Sequence, residues 1–304
     1  MSSRKAVLIS NPKTGRYGWR RTTPIKELSA YLKSHGVDVE LIMTAGPGDA
    51  AEIAAQVARN GSADVIVAGG DGTINEAVQG LVGTDTRLAI IPRGTANVLA
   101  RELGLPLNGE QAAAVIARGH SRRIHIGVAI DEERNTRRYF LLMAGIGLDA
   151  SVVGRVRPSL KKRFGKGAFW FSGLSHLAKW NPKSFLVEAD GHRYNATFAA
   201  IGNAPSYGGD LAITPRARLD QPEFEVCVID TFSRLRYLSF LSYAMRSGMP
   251  RNKGSVRFLQ TSSVRGIGDA AVQVDGELIG ELPMRFEIAQ ESIDIIVPEN
   301  PDLR

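Results

Sequence analysis

Val65-Ile-Val-Ala-Gly-Gly-Asp-Gly-Thr-Ile-Asn-Glu76 is an apolar run that ends in two glycines, an aspartate, a third glycine and a threonine, and then a helical pattern begins. A strand that ends this way brings backbone N–H groups and a helix N-terminus to one point, an arrangement suited to a phosphate. The buried run Asp64 to Ala68 fixes its position, and Gly69, Gly70 and Gly72 let a ligand come close to the backbone. Thr73 can serve as N-cap, with Glu76 completing a capping box. Asp71 stands apart, because a carboxylate beside a phosphate is repelled unless a metal ion or a proton transfer involves it. The plain alternative is a tight strand-to-helix turn with a capping aspartate.

Outward from this stretch, strands and helices alternate from residue 5 to about 120. Strands are expected at Val7–Ile9, Val37–Met43, Asp64–Ala68 and Leu88–Ile91. Helices are expected within Arg20–Ser34 and over Gly48–Arg59, Asn75–Leu81, Ala96–Leu103 and Gln111–Ala117. Such alternation argues for a parallel sheet covered by helices on both faces. The C-terminal ends of parallel strands open on one edge. Asn11-Pro-Lys-Thr-Gly15 and Pro92-Arg-Gly-Thr-Ala-Asn97 each follow a strand, so both should face the same crevice as the glycine loop. Thr95 can cap the next helix while its hydroxyl reaches a phosphate, and Asn97 can contact a sugar or phosphate. Three such loops on one edge are far more specific than any one.

After about residue 122 the pattern changes. Strands are expected at Ile124–Ile130, Tyr139–Met143, Phe185–Ala189, Tyr194–Ile201, Phe224–Ile229, Val256–Leu259, Ala271–Val274, Met284–Ile288 and Ile293–Val297. These spacings suggest an antiparallel β domain, interrupted by helical segments at Leu160–Ala178 and Leu235–Arg246. The expected division is residues 1–122 as an α/β domain and 123–304 as a β-rich domain, with a last segment able to return to the first. A cleft between two such domains is the default place for an active site.

Composition narrows the classes. A hydrophobic content of 43% and a charged content of 23% over 304 residues are ordinary for a soluble globular protein. The net charge of +7 makes an anionic partner reasonable. The single cysteine, Cys227, rules out internal disulfides and fits a reducing cytoplasm. The N-terminus lacks the apolar stretch of a signal peptide, and no apolar run is long enough to span a bilayer. The chain is therefore expected to be cytoplasmic, at most peripheral to the inner membrane surface.

No Gly-x-x-x-x-Gly-Lys-Ser/Thr motif occurs, which excludes a P-loop protein. Gly145-Ile-Gly-Leu-Asp-Ala150 fits a dinucleotide fingerprint, but the acidic ribose ligand expected about twenty residues on is missing. From Ala150 to Val187 there is no acid at all, while Arg155, Arg157, Lys161, Lys162, Arg163, Lys166, Lys179 and Lys183 have Phe164, Phe169, Trp170, Phe171 and Trp180 lying among them. Leu160, Phe164, Phe171, Leu174 and Ala178 recur at helical spacing, so one face is apolar and another basic. Such a helix can lie on an anionic bilayer or turn its apolar side to the core. No nucleic-acid-binding motif accompanies the charge. Val272-Gln-Val-Asp-Gly-Glu-Leu-Ile279 is either an Asp-Gly hairpin or a turn that presents a general base. The five histidines are scattered, which argues against a histidine metal site.

Taken together, Asn11-Pro, Gly69-Gly-Asp-Gly-Thr-Ile-Asn75, Pro92-Arg-Gly-Thr-Ala-Asn97, Gly145-Ile-Gly-Leu-Asp-Ala150 and Asp275-Gly-Glu277 resemble the diacylglycerol kinase catalytic family. This bacterial lipid kinase group is related to sphingosine and ceramide kinases and, more distantly, to NAD kinases. The resemblance runs nearly end to end. It implies an N-terminal three-layer α/β nucleotide domain and a C-terminal antiparallel β-sandwich-like domain, with the active site in the cleft between them. It also implies an ATP- and Mg²⁺-dependent transfer to a hydroxyl of a membrane lipid, diacylglycerol-like or sphingoid; the basic aromatic helix and the second helix, Leu235–Arg246, would bring the chain to an anionic membrane surface. Asn11, Gly69, Gly70, Asp71, Gly72, Thr73, Ile74, Asn75 and Thr95 would hold ATP, with Thr44 also facing the nucleotide. Asp71 would act near Mg²⁺ and the γ-phosphate, Glu277 would accept the proton, and Asp149 would meet the lipid head group. Asn203–Gly209 and Pro215–Glu225 resemble the family's cation-binding loop, which places Gln221 at the side-chain ligand and Arg218 and Glu223 at the flanking backbone positions. The family usually reads Asp-Asp-Gly where this chain reads Asp220-Gln221-Pro222, and a neutral glutamine is a weaker Mg²⁺ ligand than a carboxylate. Asp220 could substitute by a shift of one residue. An NAD kinase-like enzyme on a soluble nucleotide, or a module that senses nucleotide or lipid without catalysis, would share the glycine motif.

Overall fold

The computed structural model describes residues 4–12, 14, 23–61, 64–147, 182–207, 211–246 and 254–299. It divides into two compact units, residues 1–124 with 291–304, and residues 125–290. Among the described residues no helix is long and apolar enough to cross a membrane.

The first unit alternates β1 (Arg4–Ser10), α1 (Ile25–Ser34), β2 (Val37–Met43), α2 (Asp49–Arg59), β3 (Asp64–Gly69), α3 (Asp71–Leu81), β4 (Arg87–Pro92), α4 (Val98–Glu102) and α5 (Gly109–Arg118). Its strands are parallel in the order β2-β1-β3-β4. β3 reads as an unbroken apolar run because it is buried along its whole length. Right-handed crossovers run from β1 to β2 in one direction and from β2 to β3 to β4 in the other. That puts α1 on one face and α2 and α3 on the opposite face, and the observed pairs α1 with α5 and α2 with α3 follow this rule. Buried Asp64 at the start of β3 lies 2.6 Å from Arg4 Nε of β1 and 2.7 Å from Arg87 Nε of β4. Three strands are thus tied at their N-terminal ends, and their C-terminal ends are left for loops.

The second unit takes up most of the remaining strands: β5 (Ser121–Asp131), β6 (Thr136–Phe140), β7 (Met143–Gly147), β8 (Phe185–Ala189), β9 (His192–Ala196), β10 (Phe198–Gly202), the short β11 (Ser206–Tyr207) and β12 (Leu211–Ala212), β13 (Phe224–Ile229), β14 (Val256–Thr261), β15 (Ser263–Ile267), β16 (Ala271–Val274), β17 (Glu277–Glu281) and β18 (Met284–Ile296), with one helix among the described residues, α6 (Arg234–Arg246). One antiparallel sheet has the order β14-β13-β10-β7-β16-β17. Facing it, β8 pairs with β9 and β15, and β15 pairs with the start of β18. Val226, Val228, Ile146 and Val272 of the first layer bury against Phe185, Val187, Val264 and Phe286 of the second, which makes a sandwich core.

Four expected strands differ in continuity. Tyr139–Met143 is not continuous: it breaks at Leu141 and Leu142, whose amides turn to a carboxylate described below. Tyr194–Ile201 breaks at Thr197, whose buried hydroxyl donates to carbonyl oxygens of Ile229 and Thr231. The last two expected strands are one, β18, which runs through the polar Gln290-Glu291-Ser292 and ends beside β4 with Ile295 opposite Leu88. Gly145 and Gly147 lie within strand β7, so the dinucleotide-like pattern is no strand-to-helix turn there. The expected helix Leu160–Ala178 lies outside the described residues.

Candidate active site

In the first unit the chain leaves β1 for β2 on one side, then crosses to β3 on the other. Strand order therefore reverses between β1 and β3, and in open parallel sheets ligands bind beside the C-terminal strand ends at such a point. The loops after β1 and β3 meet there: Asn11 Nδ2 donates to Thr73 Oγ1 at 3.2 Å. The β4 loop joins them, with the Arg93 amide donating to Gly69 O at 2.8 Å. Thr44, at the end of β2, is buried and its amide donates to Ser10 O at 3.0 Å. The structure thus gathers Asn11, Thr44, Gly69–Thr73 and the β4 loop on one edge.

Two of the glycines are explained by close approach. A Cβ on Gly94 would lie 2.6 Å from Gly70 Cα and 2.8 Å from Asn97 Oδ1, and one on Gly70 would lie 3.1 Å from Gly94 Cα. The β3 and β4 loops therefore touch backbone to backbone. Gly72 differs, since it is exposed and a Cβ there would meet nothing within 4 Å.

The start of α3 corrects the capping expectation. Gly70, extended at φ −98°, is the N-cap, the helix begins at Asp71, and no side chain caps it. Thr73 lies inside the first turn with its hydroxyl accepting from Asn11, so it forms no capping box with Glu76. By contrast α5 is capped in the ordinary way, by Asn108 Oδ1 accepting from Glu110 N at 2.9 Å and Gln111 N at 3.1 Å. The first amides of α3 are left without a side-chain acceptor, an arrangement open to an anion.

Other residues of the two loops divide by burial. The Ile74 and Asn75 side chains are buried, and Gln79 Nε2 donates to Asn75 Oδ1 at 3.2 Å, so neither side chain is presented to a ligand. Thr95 is exposed but caps nothing: α4 begins at Val98 behind Asn97, which adopts a left-handed conformation at φ 48°. The Asn97 amide bonds back to Gly94, accepting from its N–H at 2.7 Å and donating to its carbonyl at 2.9 Å. Asn97 is thus a clamp of the loop, in place of the sugar or phosphate contact expected of it. Asp71 Oδ1 accepts from Leu99 N at 3.2 Å, which ties the start of α3 to α4.

Arg93 was not singled out by its sequence pattern. Its Nη1 donates to Thr23 O at 2.9 Å, and partial burial holds its pKa below the ordinary arginine value. A cation inside a glycine-containing loop at a strand end is the signal that could have marked it.

In the second unit, Asp275 and Gly276 have φ of 47° and 85°, a tight hairpin between β16 and β17. The Asp275 carboxylate accepts three backbone amides, from Leu141 at 2.7 Å, Leu142 at 2.9 Å and Met143 at 3.0 Å. Gln273 Oε1 accepts from Gly276 N at 2.7 Å. The turn is therefore held from both sides, and it carries Glu277, whose side chain is 61% exposed with Oε2 2.5 Å from Arg138 Nη2. Hairpin and presented carboxylate coexist in one structure.

In the expected cation loop the carboxylate that could stand in for Gln221 is already paired. Asp220 is clasped by Arg218, Nε to Oδ1 at 3.0 Å and Nη2 to Oδ2 at 3.1 Å. The Arg218 carbonyl accepts from Gln221 N at 3.1 Å, Gln221 is exposed, and Glu223 Oε1 accepts from Gln260 at 3.1 Å. The guanidinium takes the carboxylate that a cation would need, and among the described residues no three acidic, histidine or cysteine side chains cluster as metal ligands. Asp149 lies outside the described residues.

Comparison with known proteins bears on the whole arrangement. Residues 5–129 match the model of the diacylglycerol kinase catalytic domain, and residues 143–297 that of the YegS C-terminal NAD kinase beta sandwich-like domain. A diacylglycerol kinase of Staphylococcus saprophyticus is 28% identical over 98% of this chain and 96% of its own. One of Mycobacterium tuberculosis is 30% identical over 89% of this chain and 88% of its own. The crystal structure of a diacylglycerol kinase from Bacillus anthracis shares the fold, with a TM-score of 0.73 at 21% identity over 97% of both chains. A second Bacillus anthracis structure has a TM-score of 0.79 at 25% identity over 98% of both chains. The chain belongs to the diacylglycerol kinase family, whose members use ATP.

Proposed function

We propose that this protein is a lipid kinase that moves the γ-phosphate of MgATP onto a hydroxyl of a diacylglycerol-like lipid. The observation that carries the reading is the meeting of the β1, β3 and β4 loops at the strand reversal, beside a helix whose first amides have no side-chain cap. Phosphoryl transfer asks a protein mainly for positioning and charge neutralisation. The α3 amides, the open backbone at Gly72 and the Thr95 hydroxyl would take phosphate oxygens, and Arg93 would add positive charge. Asp71 would face the metal that arrives with the nucleotide. Glu277 would take the proton of the acceptor hydroxyl as its oxygen bonds to the γ-phosphorus and the bond to the β-phosphate oxygen breaks, releasing ADP. Arg138 would orient that carboxylate, and Asp149 would meet the lipid head group. The relatives described as diacylglycerol kinases make diacylglycerol the first acceptor to test.

The test is transfer from γ-labelled ATP with Mg²⁺ to diacylglycerol, phosphatidylglycerol, sphingosine and ceramide in mixed micelles, followed by organic extraction. Label in the diacylglycerol product is expected. Label in none of the lipids, with transfer to NAD in its place, refutes the proposal.

A further inference from the structure

Helix α6 presents two faces that differ in kind. Tyr237, Phe240 and Ala244 are buried, and the Tyr237 hydroxyl lies 2.6 Å from Thr197 Oγ1, so this face is docked on the second unit. On the outer side Leu235 is 78% exposed and Leu238 39%, and Phe232, just before the helix, is 62% exposed. The helix Arg-Leu-Arg-Tyr-Leu-Ser-Phe-Leu-Ser-Tyr-Ala-Met-Arg contains no acid. Large apolar side chains left in water beside arginines are a costly surface unless something covers them.

A cavity of about 360 Å³ adjoins this ridge, lined in part by His192, Arg193, Tyr194, Asp230, Ser255 and Arg257. One contact joins it to α6, Arg236 Nη1 donating to Ser255 Oγ at 2.6 Å, and Asp230 of its lining stands two positions before Phe232 in the chain. The Arg257 guanidinium lies 5.8 Å above the Tyr194 ring, which fixes it at the cavity wall. Arg193 Nε shares its charge with Glu188 Oε1 at 2.7 Å. In the segments that form this face Arg193, Arg234, Arg236 and Arg257 outnumber Glu188, Asp190 and Asp230.

We infer that this face is a docking surface for a bilayer containing anionic phospholipid. Phe232, Leu235 and Leu238 enter the acyl boundary, and the cavity takes a phosphodiester head group separate from the lipid that is phosphorylated. Arg257 and His192 meet the phosphate, and Asp230 accepts from a head-group hydroxyl, which favours a glycerol-type head group. Apolar area plus paired charge is the physical basis of interfacial binding. The inference rests on the proposal of a bilayer-borne acceptor.

The experiment is co-sedimentation of the full chain with vesicles of phosphatidylcholine alone and with phosphatidylglycerol added. Binding is expected only with phosphatidylglycerol. Arg257→Gln should weaken it about fivefold, and Phe232→Ser with Leu235→Ser by about thirtyfold or more. Both variants change exposed side chains, so their unfolding curves should match the native chain. Equal binding to the two vesicles, or native-like binding by either variant, overturns the inference. Transfer to short-chain diacylglycerol in detergent, measured on the same variants, should stay at the native level. If native and variant chains alike transfer nothing there while vesicle binding follows the expected pattern, the kinase reading fails and the docking surface stands.

Discussion

Gly72→Ala separates the two explanations of the glycine loop, because the fold and a bound nucleotide make opposite demands at that position. Gly72 is the second residue of α3, is exposed, lacks a positive φ, and a Cβ there would have nothing within 4 Å. For the fold alone, alanine is the better residue: glycine in a helix costs about 1 kcal/mol relative to alanine, and less in the first turn. A gain of about 0.5 kcal/mol would raise the thermal midpoint of a chain this size by about 1–2 °C. A phosphate resting on the α3 amides would instead meet the new methyl group, at a cost of about 1–3 kcal/mol, so the Kd for ATP should rise about fivefold or more. Gly94→Ala is the control for crowding. Its Cβ would lie 2.6 Å from Gly70 Cα, a backbone atom that cannot swing aside, so it should lose about 2 kcal/mol and about 4–8 °C. Thermal unfolding of the ligand-free chain and titration calorimetry with ATP read the two effects separately. Unchanged ATP affinity in a stabilised Gly72→Ala chain would refute the phosphate placement, and destabilisation like that of Gly94→Ala would refute the open space.

Asp71 also has two roles to separate. Asp71→Asn keeps an acceptor for Leu99 N but removes the charge, so unfolding should shift by less than about 1 kcal/mol while transfer falls by about a hundredfold or more; a fully active Asp71→Asn chain would show that only the structural bond matters. Glu277→Gln should leave stability within about 1 kcal/mol, since its carboxylate is 61% exposed, yet abolish transfer. Asp275→Ala, which strands three amides, should cost about 3 kcal/mol or more by urea unfolding; a near-native midpoint would mean the three bonds do not hold the turn. A chelator should leave the thermal midpoint of the nucleotide-free chain unchanged, because Arg218 already closes the Asp220 loop, and a fall in that midpoint would establish a structural cation. Cys227 is fully buried and burial pushes its thiol pKa up, so a thiol reagent should label it only on unfolding at neutral pH, and labelling of the folded chain would contradict its placement.

How much the sequence revealed depended on where each constraint originates. The parallel sheet was legible because β3 is buried end to end and so reads as an apolar run; β13 and β16 fall on their expected residues for the same reason, and β2 and β8 because their burial alternates along the strand. The gathering of three loops on one edge was legible too, because it follows from parallel strand direction alone. Boundaries failed where long-range bonds decide them. The start of α3 at Asp71 depends on Gly70 lying extended against Gly94, and no periodicity carries that contact. The resemblance implied Asn75 as a nucleotide ligand, but in a helix that starts at Asp71 its side chain is buried and meets Gln79.

The same distinction accounts for the Asp-Gly-Glu turn. Its sequence left a hairpin and a general base as rivals, yet the two readings fall on different residues: Asp275 holds the hairpin, and Glu277 is the exposed carboxylate proposed as the base. A hairpin turn alone would leave Glu277 on a flexible rim, where a carboxylate's position is set only by its own rotamers. Here the neighbouring carboxylate is gripped by amides from a segment 134 residues earlier, and those amides are free to do so because the strand pairing stops at Leu141 and Leu142. Breaking that strand therefore holds the turn in place, and it explains why the apolar run Tyr139–Met143 could not be one strand. Arg138 comes from the β6 side of the same break and meets Glu277 at 2.5 Å. A base that must reach one proton in one geometry needs this kind of support from residues that never touch the substrate, and such support stays hidden in the sequence until distant segments are folded together.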